Sequence, residues 1–236
     1  MRKILLCIAG SIWLVAAVGQ KTELALSLNS GLFSFSGRSA TSSSFINYNG
    51  AENPGYTNNP YGSRPGWSYG LSAEVKHVVL RHFLIGIDGG YEVLRSRVRL
   101  TWVSGHFADD NDSIPIHGQT ILTSRFINFF PYLGFRLTPG KFSVDVTGGF
   151  DVAHCLHAEE KGQAKDENNV VYNASLDRKT ITTDVRPRVQ LTLGYHKMAL
   201  YIGYSKGISN YMAGYVGGPT GAYARILRFG IQYRLI

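Results

Sequence analysis

"ITTDVRPRVQLTLGY", residues 181–195, sorts its side chains by parity. Ile181, Val185, Pro187, Val189, Leu191, Leu193 and Tyr195 fall on one side; Thr182, Asp184, Arg186, Arg188, Gln190 and Thr192 fall on the other. A period of two is the signature of a β-strand with unlike faces. The polar face here carries charge of both signs, so the question is which face meets water.

The pattern recurs outward from this stretch. Trp67, Tyr69, Leu71, Ala73 and Val75 alternate with Ser68, Gly70, Ser72, Glu74 and Lys76. Phe83, Ile85, Ile87, Tyr91 and Val93 alternate with Leu84, Gly86, Asp88, Gly90 and Glu92. Phe142, Val144, Val146, Phe150 and Val152 oppose Asp145, Thr147, Gly149, Asp151 and Ala153. In "RILRFGIQYRLI", residues 225–236, Leu227, Phe229, Ile231, Tyr233 and Leu235 oppose Arg228, Gly230, Gln232 and Arg234. Helical periodicity is absent from the chain after residue 20, so the fold class is all-β. Eight strands are expected, over 22–36, 67–78, 82–102, 119–137, 141–155, 180–195, 199–209 and 223–236. Tight turns ("VVLR", "TPGK", "HKM") alternate with long polar connections at 37–66, 103–118, 156–179 and 210–222. No linker divides the chain, so residues 20–236 read as one domain.

Charge placement decides the architecture. The polar faces hold Glu74, Asp88, Glu92, Asp145, Asp151 and Asp184 against Lys76, Arg136, Arg186, Arg188, Arg228 and Arg234. A solvated face would carry abundant Lys. A balanced set that favours Arg suits a narrow interior, where charges must pair and the guanidinium forms bidentate pairs. The apolar faces are large, with Trp67, Tyr69, Tyr91, Tyr195, Tyr223 and Tyr233 near strand ends. Aromatic girdles at the edges of an apolar band mark a transmembrane barrel, with short periplasmic turns and long external loops. In a bilayer every backbone group must be paired, so the last strand is expected to close on the first, at "LALSLNS", residues 24–30. The expectation is an eight-stranded antiparallel up-and-down transmembrane β-barrel with four long external loops and three short periplasmic turns.

The N-terminus agrees on compartment. Arg2 and Lys3 precede the apolar stretch 4–18, and Ala17 and Gly19 occupy the −3 and −1 positions of a cut before Gln20. That is the layout of a cleaved signal peptide over residues 1–19. The apolar segment is short for a helical span of about 20 residues. Loss of Arg2 and Lys3 leaves 22 basic against 16 acidic residues, a charge of +6. Export makes nucleic acid an implausible partner for that charge and leaves lipid headgroups, lipopolysaccharide phosphates or solubility. Cys7 leaves with the signal peptide, so Cys155 stands alone and no disulfide can form within the chain.

"RFINFFPYLGFRLTPGKFSVDVTGGF", residues 125–150, resembles the central signature of the Bacteroidetes outer membrane β-barrel family related to PorT. That signature is an aromatic strand with an internal Pro, a tight turn and a strand ending in a Gly pair. Pro131 and Gly148–Gly149 stand at the matching positions, and "DVRPRVQLTLGYHKMALYIGYSKGISNY" resembles the following hairpin. The resemblance implies a small porin-family barrel of the OmpA/OmpX-like architecture in the outer membrane, without catalytic residues. One departure is the end, where Leu235 and Ile236 stand in place of an outward aromatic residue.

The functional expectation is a non-catalytic integral outer-membrane protein. Its lumen is filled by side chains, as the width of an eight-stranded barrel implies. Its loops serve envelope integrity or partner binding. The tyrosines Tyr48, Tyr56, Tyr61, Tyr211 and Tyr215, set among Gly, Asn, Ser and Pro, form a candidate loop-binding surface. Those nearest the membrane also suit an aromatic belt. Two other functions stay open: a narrow porin-like channel for small solutes, and a lipid-modifying barrel enzyme built on His154, Cys155, His157 and Glu159. "DDNDS", residues 109–113, offers oxygen ligands without the spacing of a calcium loop, and "DSI" at 112–114 resembles an O-glycosylation motif. His77, His82 and His196 read as interface residues at the short turns. No cofactor or metal is expected. Expected partners are outer-membrane lipid and lipopolysaccharide, the assembly machinery during biogenesis and an extracellular ligand, with the chain a monomer.

Overall fold

The computed structural model describes residues 21–48, 54–105, 113–214 and 220–236. The signal-peptide expectation, Tyr215, and most of "DDNDS" lie outside these residues. All regular structure is β: β1 (Lys21–Ser36), β2 (Ser43–Tyr48), β3 (Tyr56–Thr57), β4 (Arg64–Val79), β5 (Phe83–Gly105), β6 (Ser113–Leu137), β7 (Phe142–Lys165), β8 (Val171–Asp177), β9 (Thr183–Tyr195), β10 (Met198–Lys206) and β11 (Tyr223–Arg234).

The described strands number eleven, against the eight expected. Antiparallel pairing runs β5–β4–β1–β11–β10–β9–β7–β6 and returns to β5, so these strands close a cycle. The seam joins β11 to β1 from Ala25↔Arg234 to Ser36↔Tyr223. β2, β3 and β8 are additions to this ring. β2 lies parallel to the far end of β5, β3 pairs β2, and β8 folds back on β7. Gly55 bridges Ala174 of β8, with Gly55 N–H donating to the Asn173 carbonyl and Ser175 N–H to the Gly55 carbonyl. The ends of β5, β6 and β7 therefore rise into a second, smaller storey.

Three of the connections expected as loops are corrected by this arrangement. Residues 37–66 contain β2, β3 and the start of β4; β5 and β6 run on to Gly105 and back from Ser113; and 156–179 is mostly β7 and β8. Most of their polar residues face water, while a compact core (Ile46, Leu100, Val103, Ile116, Ala164, Tyr172 and Ala174) fills the inside.

The short turns follow from local backbone chemistry. Leu80 and Arg81 (φ 50° and 67°) turn β4 into β5, Gly140 (φ 64°) turns β6 into β7, and His196 (φ 51°) turns β9 into β10. Left-handed residues match the twist of tightly joined antiparallel strands.

Inside the main ring, bulk and space alternate across strands. Tyr132 and Tyr201 point inward and are buried, each opposite a glycine: Gly86 on β5 and Gly230 on β11. A Cβ at Gly230 would lie 2.6 Å from Tyr201 Cζ and 2.6 Å from the Leu28 carbonyl oxygen. Gly230→Val is expected to destabilise the ring by about 1–3 kcal/mol through overpacking. The check is the urea midpoint in detergent, and a midpoint equal to wild type would contradict the close fit.

Candidate functional site

The inward positions of the main ring hold a continuous network of charge. At the short-turn end it centres on Arg136 of β6. Arg136 Nε and NH2 donate to Asp145 of β7 at 2.6 and 2.8 Å; NH1 and NH2 donate to Glu23 of β1, both at 2.9 Å. Both carboxylates are thus held in forks by one guanidinium. Arg234 reaches Glu23 at 3.2 Å, and Lys76 bridges Asp145 at 3.0 Å and Glu74 at 3.2 Å. Glu74 also accepts from Tyr132 Oη and from Gln232 Nε2, both at 2.6 Å.

A second knot lies deeper in the ring. Arg228 donates to Glu92 at 2.7 and 3.1 Å and lies 3.0 Å from Asp151. Arg188 meets Asp151 at 3.2 Å and Asp88 at 3.9 Å, with its guanidinium 4.2 Å from the centre of the Phe130 ring. Arg186 donates to Asp184 at 2.7 Å and Glu92 at 3.2 Å over the ring of Phe126. Tyr211 Oη closes the set on Asp184 at 2.6 Å.

Every residue of the expected charge set lies on this inner face. Asp88 and Arg234 are part-exposed, with side chains 13% and 21% accessible, and the others are buried. Sequence reasoning missed Glu23, Tyr132, Tyr201 and Ser205, while Gln232 falls inside as its place beside Arg228 and Arg234 on the polar face implied. Glu23 was legible as the parity partner of Ala25 and Ser27, one step further out along the same strand.

Above the network the interior turns apolar. Phe33, Phe35, Tyr61, Leu94, Leu122, Phe126, Tyr211 and Ile226 belong to one buried cluster. Phe35 meets the rings of Phe33, Tyr61 and Tyr211 edge-on at 4.8–5.1 Å. This corrects the tyrosine surface. Tyr61 and Tyr211 are only 4% and 3% exposed and seal the lumen, so they present nothing to a partner. Tyr48 is half-buried against Tyr172 of the upper core, and Tyr56 alone of the described set is exposed.

The joint between the storeys is built on Glu160. Its side chain is fully buried, accepts from the Thr57 amide at 2.8 Å and pairs with Arg178 at 2.8 Å. Arg178 also donates to the Thr57 carbonyl. Burial raises the Glu160 carboxyl above its ordinary range, while Arg178 and the Thr57 amide pull it down.

The candidate hydrolase cluster is not assembled. A β-bulge at Arg125/Phe126 sets Arg125 opposite His157 and Phe126 opposite Cys155. The extra residue breaks the parity of β7. His154 is exposed, Cys155 packs on the apolar seal, and Glu159 is held by Arg125 at 2.8 Å and Lys161 at 2.9 Å. His157, Glu159 and Asp177 bring potential ligand atoms within 4.8 Å of one another, but Glu159 already serves two cations. At the short turns His77 contacts Thr22, His82 stacks on Phe135 and His196 abuts Tyr195.

A vestibule of about 410 Å³ opens at the short-turn end and runs in as far as Glu23 and Arg136, beside Lys21, Arg81, Lys141 and Arg234. The outer wall is its opposite in polarity. Leu26, Leu28, Leu71, Ile85, Ile87, Phe129, Leu133, Val146, Leu191, Leu200, Ile202 and Ile231 all stand exposed.

No family model and no curated protein matches the sequence. Among solved structures, the chain is similar to Ail, the attachment invasion locus protein of Yersinia pestis, crystallised with the heparin analogue sucrose octasulfate. The identity is 10% and the TM-score 0.37, over 92% of this chain and 98% of that one. Neisserial surface protein A is similar at 12% identity and a TM-score of 0.36, over 91% and 98%. The likeness to the PorT-related family rests on the residues quoted for it.

Arg136→Ala would leave Glu23 and Asp145 without their main partner inside the ring. The expected cost is about 3–5 kcal/mol. It would be read as lost heat-modifiability on detergent gels and a lowered urea midpoint. Lys161→Ala, at an exposed pair, should change stability by less than about 1 kcal/mol. Equal effects would contradict the contrast between inner and outer pairs. Glu160→Ala should free the upper storey alone, with faster proteolysis between β7 and β8 and an unchanged main ring.

Proposed function

We propose that the chain is a non-catalytic integral outer-membrane barrel protein, acting through its wall and its externally exposed upper storey. One observation carries this reading: polarity is inverted, with ion pairs inside the ring and an unbroken apolar band outside it. A water-soluble barrel would expose its charges and bury its leucines. On β5 the outward side is uncharged over residues 83–93. That stretch spans about 33 Å along the strand and about 25 Å along the axis at a tilt near 40°, the height of the apolar band of outer-membrane barrels.

In this reading the eight strands of the main ring span the bilayer, the short turns are periplasmic, and residues 1–19 are a cleaved signal. The chain is a monomer inserted by the outer-membrane assembly machinery and belongs with the PorT-related barrels. Its partners are outer-membrane lipid and lipopolysaccharide. The upper storey, with Tyr56 on its surface, takes the place of flexible loops as the part that meets an extracellular ligand or supports the envelope. The aromatic seal and the Arg136 forks favour a filled lumen over the porin-like channel.

Two measurements test the reading. The protein should stay in the membrane fraction after a carbonate wash, and release into the supernatant would overturn it. In planar bilayers the folded protein should give no steady single-channel steps. Reproducible steps would replace the filled lumen with a channel.

A further inference from the structure

The outer wall carries a patch of cations that the lumen does not explain. Immediately beyond the apolar band, β5 turns Arg95, Arg97 and Arg99 outward on alternate positions, and Arg64 of β4 stands directly opposite Arg97. Among the described residues none of these four forms an ion pair with a carboxylate. The neighbouring wall differs: Arg125 and Lys161 both pair with Glu159. Like charges directly opposed across two strands are unfavourable unless an anion lies between them.

The patch borders a groove of about 390 Å³. Leu32, Trp67 and Ile121 form its apolar side; Arg95, Arg97 and Gln119 form its polar side. Arg97 Nε donates to the Pro65 carbonyl at 2.8 Å, which fixes the guanidinium and leaves NH1 and NH2 for another acceptor. The Arg95 guanidinium lies 5.2 Å from the centre of the Tyr69 ring. Residues two apart on a strand face stand about 7 Å apart, a spacing at which two guanidinium groups can hold one phosphate between them.

We propose that this groove is a binding site for a phosphate-bearing membrane lipid. Its phosphate lies between Arg95 and Arg97, and an acyl chain runs down the wall along Trp67 and Leu32. The site rests on the membrane reading above, because the groove straddles the edge of the apolar band. Amphipathic lining selects the occupant: free phosphate has nothing to place against Trp67, and a neutral lipid leaves the arginines uncompensated.

The test uses the full mature chain folded in detergent, with diphosphoryl lipid A and phosphatidylcholine as probes and native mass spectrometry as readout. The expected result is retention of one lipid A molecule in preference to phosphatidylcholine. R95Q/R97Q should reduce that retention by about tenfold or more, since bonds to charged groups are lost. K161Q, which removes equal charge per site from the paired wall, should leave it unchanged. Equal retention by R95Q/R97Q and wild type, an equal loss in K161Q, or no preference for lipid A would each overturn the site. Should the double variant lose heat-modifiability, R97Q alone gives the same reading. Insertion into pure phosphatidylcholine vesicles is measured in parallel. A chain that inserts without retaining lipid A refutes the site and keeps the membrane reading, whereas a chain that never inserts refutes both.

Discussion

Arg136 ties together strands that are far apart around the ring. Its forks join Glu23 on β1 to Asp145 on β7, and Lys76 on β4 and Arg234 on β11 extend the same knot. Bringing these charges out of water costs several kcal/mol per ion, and only near-complete pairing offsets that. The consequence is geometric. Each carboxylate is satisfied only when β1, β6 and β7 stand at one register, so the network discriminates against a slipped seam. A slip of β11 by one residue at Ala25↔Arg234 would turn Arg234 toward the apolar side and away from Glu23. Closure of the ring and pairing of its charges are therefore the same event.

The upper storey depends on a register shift in β7. The bulge opposite Phe126 shifts the parity of β7, so that Ala158, Glu160 and Ala164 turn inward where strict alternation from Asp151 would point odd-numbered residues. Without it, Glu159 and Lys161 would be driven inside and the Glu160 contacts to Thr57 and Arg178 would be lost. A one-residue insertion thus lets one strand serve a charged interior below and a largely apolar one above.

Period-two alternation made the all-β class, the inner charge set and the tight turns legible from residues alone. What escaped has physical causes. Polarity in "AEEKGQAKDENN" reads as loop, yet its inner side is Ala158, Glu160, Gly162 and Ala164, where Ala164 packs against the larger side chains of neighbouring strands and Glu160 is paired. Small residues carry almost no hydropathic signal, so alternation between Ala164 and Lys165 is invisible. Tyr61 and Tyr211 failed in the opposite sense. Their Gly- and Asn-rich surroundings suggested a surface, but those residues are there to bend the chain so that both rings drop into the lumen beside Phe35. Glu23 was missed because it lies at the first turn of the first strand, where parity has the fewest neighbours to support it.

The two ends of the ring are consequently unlike. At the short-turn end the interior opens into a vestibule that stops on the buried charged knot of Glu23 and Arg136. At the other end the same interior is closed by aromatic rings packed edge to edge, and Tyr211 spans the boundary, with its ring in the seal and its hydroxyl on Asp184. An ion entering from the vestibule would have to break the Arg136 forks and then displace a close-packed apolar cluster that offers it no ligands. Each obstacle is costly for its own reason, desolvation in the first case and lost packing in the second. In the proposed reading, the polar column is the internal scaffold that lets an apolar wall face outward and not the lining of a path.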